Sequence, residues 1–336
     1  MRVLHVDENH PTLVDGLEAL GYKNTLAYKT PLNHLWKELN QYDGLIIRSR
    51  FPIDSTFLDQ ACQLRFIGRV GAGMENIDIS CGQQKGIQLF SAAEGNQHAV
   101  AEQCLGMLLA LFNKLQSGHQ SIQSGVWLRE AHRGWELKGQ TVGIIGYGHM
   151  GKSFAEKLQG MGVRVYCTDQ KSNLGDNNAT QVPLSKIQED ATIISIHTDQ
   201  NPSTQPLIDQ KFINSMKQSF WLLNTARGSA VETKALVAGL QSGKILGAAL
   251  DVLEYESSSF ESIFNQQKPP AELEYLRTEK NVLLSPHVAG WTVESHQRLA
   301  TPISETIKNQ HSQNEDHPLL EQFHHVVHQV QPLFQI

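Results

Sequence analysis

Four side chains able to hold or steer protons stand just past apolar runs in the second half of this sequence. Arg227 lies in Leu223-Asn-Thr-Ala-Arg-Gly228, Asp251 and Glu256 in Gly247-Ala-Ala-Leu-Asp-Val-Leu-Glu-Tyr-Glu256, and His287 in Leu284-Ser-Pro-His-Val-Ala-Gly290. Together they suit the reversible oxidation of a carbinol, in which a hydride can leave carbon only as the hydroxyl proton is removed. An imidazole, which changes charge near neutral pH, is the natural acid/base, and this assigns His287. Glu256 would hold the ring in orientation. Arg227 would clamp a substrate carboxylate as a fork and polarise the carbonyl oxygen. Asp251 would bond the carboxamide of a nicotinamide. Singly, an arginine after a strand can be a surface ion pair and a histidine in a strand-end turn can be a cap. It is their joint placement that points to chemistry.

A second signal lies upstream. Thr141-Val-Gly-Ile-Ile-Gly-Tyr-Gly-His-Met-Gly151 contains G-x-G-x-x-G at Gly146, Gly148 and Gly151. Its context agrees with a dinucleotide site: an apolar strand before it, a helical pattern with Phe154, Leu158 and Met161 after it, then a strand ending in Asp169. Gly146 permits the tight turn, Gly148 lets the main chain approach a pyrophosphate, and Gly151 allows close packing of helix on strand. The helix start near His149 and Met150 offers unpaired N–H groups to the phosphates. A carboxylate at Asp169 can accept bonds from the adenosine ribose and repels a 2′-phosphate, which favours NAD over NADP.

These residues need a scaffold that gathers strand ends. The sequence predicts strands at Arg2–Asp7, Gly44–Ser49, Arg65–Val70 and Ile87–Phe90. A second series is expected at Thr141–Gly146, Val163–Asp169, Ala191–His197, Ser219–Thr225, Ile245–Val252 and Asn281–His287. Each is short and rich in Val, Ile and Leu, as parallel strands buried on both faces are. The expected class is α/β with two parallel sheets, the break falling near Gly95-Asn96. A helix over His98–Leu115 carries a wide apolar stripe at Val100, Cys104, Leu105, Leu108, Leu111, Phe112 and Leu115. Burial between two domains and burial in a homodimer interface both account for it. A helix at Thr292–Lys308 would return the chain to the first domain. The His-rich stretch beyond it (His311, His317, His324, His325 and His328) reads as a solvated tail or surface helix. No carboxylate or cysteine recurs through it at ligand spacing, so no metal is expected.

Bulk properties narrow the classes further. At 336 residues the chain suits two domains. With 40% hydrophobic and 18% charged residues it falls in the ordinary globular range, and a net charge of -6 gives no basic footprint for nucleic acid or anionic lipid. The start, Met1 to Pro11, reads as a strand and turn rather than a signal peptide, and the apolar run Leu105–Phe112 is too short to span a bilayer. Cys62, Cys81, Cys104 and Cys167 lie far apart, which fits reduced thiols in the cytoplasm.

At these residues the chain resembles the D-isomer-specific 2-hydroxyacid dehydrogenase family, and most of all its phosphoglycerate dehydrogenase branch. The similarity runs from Gly44 to Glu294. It includes Ile47-Arg48-Ser49, Gly68-Arg69-Val70-Gly71-Ala72-Gly73-Met-Glu-Asn-Ile-Asp78, Glu94-Gly-Asn-Gln-His-Ala-Val-Ala-Glu102, Gly125-Val-Trp127 and the motifs already quoted. The resemblance implies a Rossmann-like NAD-binding domain (96–290) inserted into a flavodoxin-like substrate domain (1–95 and 291–336), and a homodimer built largely through the cofactor domains. It makes Arg227, Glu256 and His287 the catalytic residues. Cofactor contacts would come from Ala72, His149, Met150, Asp169, His197, Thr225, Ala226 and Asp251 beside the three fingerprint glycines. Substrate would meet Arg48, Arg69 and the backbone of Val70, Gly71, Ala72 and Gly73, whose N–H groups would form an anion nest.

The implied reaction interconverts a D-2-hydroxy acid and its 2-keto acid, with 3-phosphoglycerate and 3-phosphohydroxypyruvate as the first substrate pair. Glyoxylate or hydroxypyruvate reduction is an alternative, and an NADH-sensing protein like the family's corepressors is another. Formate dehydrogenases of the same superfamily would carry Gln where Glu256 stands. Two departures mark this chain. Pro52 occupies a position where phosphoglycerate dehydrogenases tend to have Lys, leaving Arg48, Arg50 and Arg69 to supply charge for a phosphate. The segment Ser257–Lys280 is longer than usual. Little more than one helix is expected after the core, without the regulatory domain many members carry.

Overall fold

The computed structural model describes residues 1–200, 206–256 and 269–315. Two sheets organise them, with every strand pairing parallel. The first contains β1 (Arg2–His5), β2 (Lys23–Leu26), β3 (Gly44–Ile47), β4 (Phe66–Arg69) and β5 (Gln88–Ser91) in the order β2-β1-β3-β4-β5. The second contains β6 (Thr141–Ile145), β7 (Arg164–Thr168), β8 (Thr180–Gln181), β9 (Ile193–Ile196), β10 (Phe220–Asn224), β11 (Ile245–Leu250) and β12 (Val282–Leu284). Its order is β12-β11-β10-β9-β6-β7-β8. The first order is flavodoxin-like and the second is the doubly wound dinucleotide order. Each reverses direction once, at β1/β3 and at β6/β9, and a crevice opens beyond the carboxyl ends of the strands at such a reversal.

Burial explains which strands form. β3, β6, β9 and β10 are buried along their whole length. Apolar side chains pack on both faces of each sheet, in one pair of clusters around Val142, Ile144 and Leu223 against Ile194, Leu222 and Leu250. A second pair centres on Leu45 and Ile67 against Ile46 and Phe66. The two strands that the sequence reading misses, β2 and β8, are edges. Apart from the exposed Leu26 their residues are polar, and none is buried, so they lack the continuous apolar run that marks a strand covered on both sides.

The long helix is shorter than expected. It spans Gln97–Phe112, and a second helix, Leu115–Gln123, begins after Lys114 at φ 50°. Leu115 is therefore not part of the stripe but exposed on the following helix. Val100, Cys104, Leu108, Leu111 and Phe112 bury against the second sheet, in one cluster with Phe154 of the helix His149–Lys157 and with Leu158, which caps that helix. The last described helix, Val293–Glu315, packs through Leu299, Ala300, Ile303 and Ile307 on Leu13, Leu17 and Ile46 of the first sheet's layer. His311 lies in this helix, while His317, His324, His325 and His328 fall outside the described residues. Part of the long segment 257–280 also falls outside them. Its later half forms the helix Ala271–Thr278, anchored by buried Leu273 and Leu276. Among the described residues no helix is long and apolar enough to cross a membrane.

Candidate active site

The glycine turn joins β6 to the helix His149–Lys157, with Gly148 at the N-cap. Its three glycines have different reasons to be there. Gly146 sits at φ 91°, and a Cβ on it would come 2.6 Å from the His197 carbonyl. A Cβ on Gly151 would collide with the Gly146 carbonyl. Gly148 is unlike both: no described atom lies within 4 Å of where its Cβ would be. Protein packing therefore explains the first and third glycines but not the second. Open space against the main chain, beside the unpaired N–H groups of His149, Met150 and Gly151, is what a pyrophosphate needs.

Asp169 closes the other side of this turn. Its Oδ2 accepts a hydrogen bond from Tyr147 N (2.8 Å) and its Oδ1 one from Lys171 N (3.0 Å). The carboxylate is thereby fixed at the edge of an open shelf of about 660 Å³ that Gln170, Lys171, Val182 and Pro183 also line. Tyr147, buried within the fingerprint itself, donates its hydroxyl to Asp176 (2.8 Å) and ties down the loop that forms the shelf. Deeper in, His197 directly follows β9, and its Nε2 lies 2.8 Å from Ser195 Oγ. Burial pushes its imidazole down to about 4, so the ring is neutral at ordinary pH.

Three neighbouring strands carry the polar constellation. After β10, buried Asn224 pins the turn by donating to Arg227 O (2.9 Å) and accepting from Ala226 N (3.1 Å). Thr225 in that turn has its hydroxyl 3.1 Å from Cys104 Sγ of the long helix. After β11 come Asp251 and Glu256. After β12 comes His287, at φ 63°, a left-handed backbone that costs a non-glycine residue about 1–2 kcal/mol. Asp251 holds that backbone in place. Only 1% exposed, it accepts from Ser285 Oγ (2.5 Å), Val288 N (3.0 Å) and Ala289 N (2.8 Å), the residues on either side of His287. Its carboxylate thus holds the loop around His287, and the proposed bond to a nicotinamide carboxamide would use its remaining acceptor capacity.

His287 Nδ1 donates to Glu256 Oε2 over 2.7 Å, and Glu256 Oε1 accepts from Leu253 N over 2.6 Å. With both carboxylate oxygens engaged, the ring is held with Nδ1 as the donor, and Nε2 lies on the opposite edge.

Facing these loops are residues from the first sheet. Arg69, at the end of β4, folds its guanidinium over Gly71 and has a buried Nε with no partner among the described residues. Burial lowers its pKa to about 10, and the nearby Arg227 and Arg48 press in the same direction. Arg48 stacks on the Trp291 ring at 4.2 Å. Of the four amides expected to form an anion nest, Val70 N already donates to Ile47 O and Gly71 N to Arg69 O, both at 2.9 Å, so Ala72 and Gly73 are the ones left to form it. Arg50 supplies no charge here. Its guanidinium donates to the carbonyls of Val6, Ala27 and Thr30 at 2.6 to 3.0 Å.

Two further residues join the site without having been singled out. Glu75 forms an ion pair with Arg227, Nη2 to Oε1 at 2.6 Å. Asn96, just before the long helix, has a buried Oδ1 with no partner among the described residues. Glu75 is 152 positions from Arg227, and no local pattern relates them.

Known proteins resemble this chain in sequence and in fold. Residues 105–289 match the family described as D-isomer specific 2-hydroxyacid dehydrogenase, NAD binding domain. A D-3-phosphoglycerate dehydrogenase of Haemophilus influenzae is 31% identical over 88% of this chain and 71% of its own. A hydroxypyruvate reductase of Thermotoga maritima is 29% identical over 82% of this chain and 87% of its own. A solved structure from Thermus thermophilus superposes with a TM-score of 0.77 at 27% identity, covering 91% of this chain and 95% of that one.

Proposed function

Because the chain belongs to the D-isomer specific 2-hydroxyacid dehydrogenase family and is an NAD-dependent enzyme of it, we propose that it interconverts 3-phosphoglycerate and 3-phosphohydroxypyruvate through Arg227, Glu256 and His287. The observation that carries the residue assignment is the His287–Glu256 pair. The imidazole has one nitrogen fixed by a carboxylate whose other oxygen is held by the backbone. Nε2 of His287 takes the hydroxyl proton in the oxidative direction and returns it in the reductive one. Glu256 keeps the ring in one tautomer and balances the imidazolium that forms. Arg227 binds the substrate carboxylate and draws electron density from the carbonyl oxygen. The glycine turn would hold NAD, which when bound would provide the hydride acceptor of the oxidation. Gly146, Gly148 and Gly151, with His149, Met150 and Asp169, would hold its pyrophosphate and ribose, while Ala72, His197, Thr225 and Ala226 would line the nicotinamide end.

Support for the phosphorylated substrate comes from the relative in Haemophilus influenzae and from Arg48 and Arg69, both desolvated cations at the mouth of the site. The alternative is a small 2-keto acid such as glyoxylate or hydroxypyruvate. Pro52 and the Thermotoga maritima relative favour it. The substrate domain is read as 1–95 and 291–336, around a cofactor domain of 96–290. We further infer a cytoplasmic homodimer. Four free cysteines suit a reducing compartment, and Leu115, Ile122, Trp127 and Leu128, all at least half exposed, form an apolar stretch that a second copy would cover.

Initial rates with phosphohydroxypyruvate, hydroxypyruvate, glyoxylate, pyruvate and 2-oxoglutarate, each with NADH and with NADPH, test the reading. The highest kcat/KM is expected for phosphohydroxypyruvate with NADH. A preference for glyoxylate or hydroxypyruvate would replace the substrate, and tight NADH binding without turnover on any acid would point to a sensor.

A further inference from the structure

Arg227 has a carboxylate on it already. Its Nε and Nη2 both donate to Glu75 Oε1, at 2.8 and 2.6 Å, and its Nη1 donates to its own neighbour's carbonyl, Ala226 O, at 2.7 Å. The Nε/Nη2 edge is the one a guanidinium presents to a planar carboxylate. Glu75 Oε2 meanwhile lies over Gly73, where a Cβ would collide with it and with Arg227 Nη2. One carboxylate thus sits on the arginine edge assigned to the substrate anion and against Gly73, beside the amides assigned to the same anion.

Asp7, the other acid near the arginines, is occupied by the amides of Arg48, Ser49 and Arg50. Glu75 is the acid that pairs with Arg227, and it reaches across from the loop after β4 to the loop after β10. The side chains of the pair are 28% and 30% exposed, so an incoming anion can reach them.

Resting on the reading of Arg227 as the substrate clamp, we propose that Glu75 is an internal competitor for the substrate carboxylate. Its carboxylate stands in for the substrate carboxylate on Arg227, and substrate binds by displacing it. Each binding event then exchanges one carboxylate for another. Affinity for any 2-keto acid is lowered by the share of molecules in which Glu75 holds the arginine. The exchange costs every acid the same factor, so the acids that still bind tightly are those that bring extra contacts, such as a second anionic group meeting Arg48 or Arg69.

The test uses oxamate, an amide that copies the carboxylate and carbonyl of a 2-keto acid, titrated into the NADH-bound full-length protein. Parent, Glu75→Gln and Glu75→Asp are compared, with NADH affinity and circular dichroism as checks of folding. Glu75→Gln keeps shape and removes charge. It is expected to tighten oxamate binding and lower the KM for glyoxylate by about two- to fivefold, the scale of a partly exposed ion pair. NADH affinity should stay the same and kcat should change less than KM. Glu75→Asp, with charge kept and reach shortened, is expected to fall between. A purely structural role would move NADH affinity and kcat along with KM. Oxamate binding that is equal or weaker in folded Glu75→Gln, or equal in parent and Glu75→Asp should Glu75→Gln not fold, overturns the proposal, as does an absence of oxamate binding to all three. Because this comparison needs no turnover, a parent inactive on every keto acid would reject the proposed reaction while leaving the role of Glu75 to be decided by binding.

Discussion

The glycine turn after β6 and the arginine-lined loop after β4 both prepare the protein for an anion, by opposite means. At the turn, backbone amides and an empty space over Gly148 do the work, and nothing charged has to move. At the loop, Arg69 and Arg227 supply full charges, and Glu75 already neutralises part of them. A backbone site is set by φ, ψ and the absence of Cβ atoms, so it is rigid and local. A side-chain site depends on residues far apart in sequence, and it can hold an internal counter-ion until a ligand takes its place.

The largest effect expected on either side comes from the group between them. His287→Ala should lower kcat by about 10²–10⁴-fold, the usual share of a general acid/base, with NADH affinity unchanged. Near-normal turnover in that variant would remove His287 from the chemistry. Next is Asp251→Ala, which strands three donors around the left-handed His287 and should cost about 3 kcal/mol of stability in urea unfolding. A loss well under 1 kcal/mol would show that the loop holds itself.

The glycines sharpen the contrast within the turn. Gly151→Ala should destabilise the fold by about 1–3 kcal/mol, since its new methyl would meet a backbone carbonyl. Gly148→Ala should leave stability within about 0.5 kcal/mol yet weaken NADH binding about tenfold, because only the ligand needs that space. Similar stability losses in both would mean that Gly148 is also required by the fold. Smallest is Asp169→Ala, expected to weaken NAD binding about fivefold and to raise relative affinity for NADP, read by titrating both cofactors. Unchanged NAD affinity would detach Asp169 from the ribose.

Much of this was legible in the amino-acid sequence where a local pattern carries the physics. β3, β6, β9 and β10 are buried on both faces, so their apolar runs mark them. The glycine turn and the strand-end positions of Arg227, Glu256 and His287 follow from the same alternation of strands and helices. Edge strands β2 and β8 were not legible, since a polar residue at an edge obeys no period. The break at Lys114 was hidden as well, because a lysine at positive φ carries no sequence mark. Glu75 on Arg227 and the three bonds to Asp251 belong to the assembled structure alone. They join segments that only the fold brings together.

His287 in its left-handed backbone has a consequence for how this protein can change. Glycine or asparagine would rest in that geometry with less strain than histidine does. Selection for heat resistance alone would therefore favour losing the imidazole, and selection for turnover would keep it. A library at this one codon, sorted once for survival after heating and once for activity, should enrich different residues, so the two pressures can be told apart at a single site.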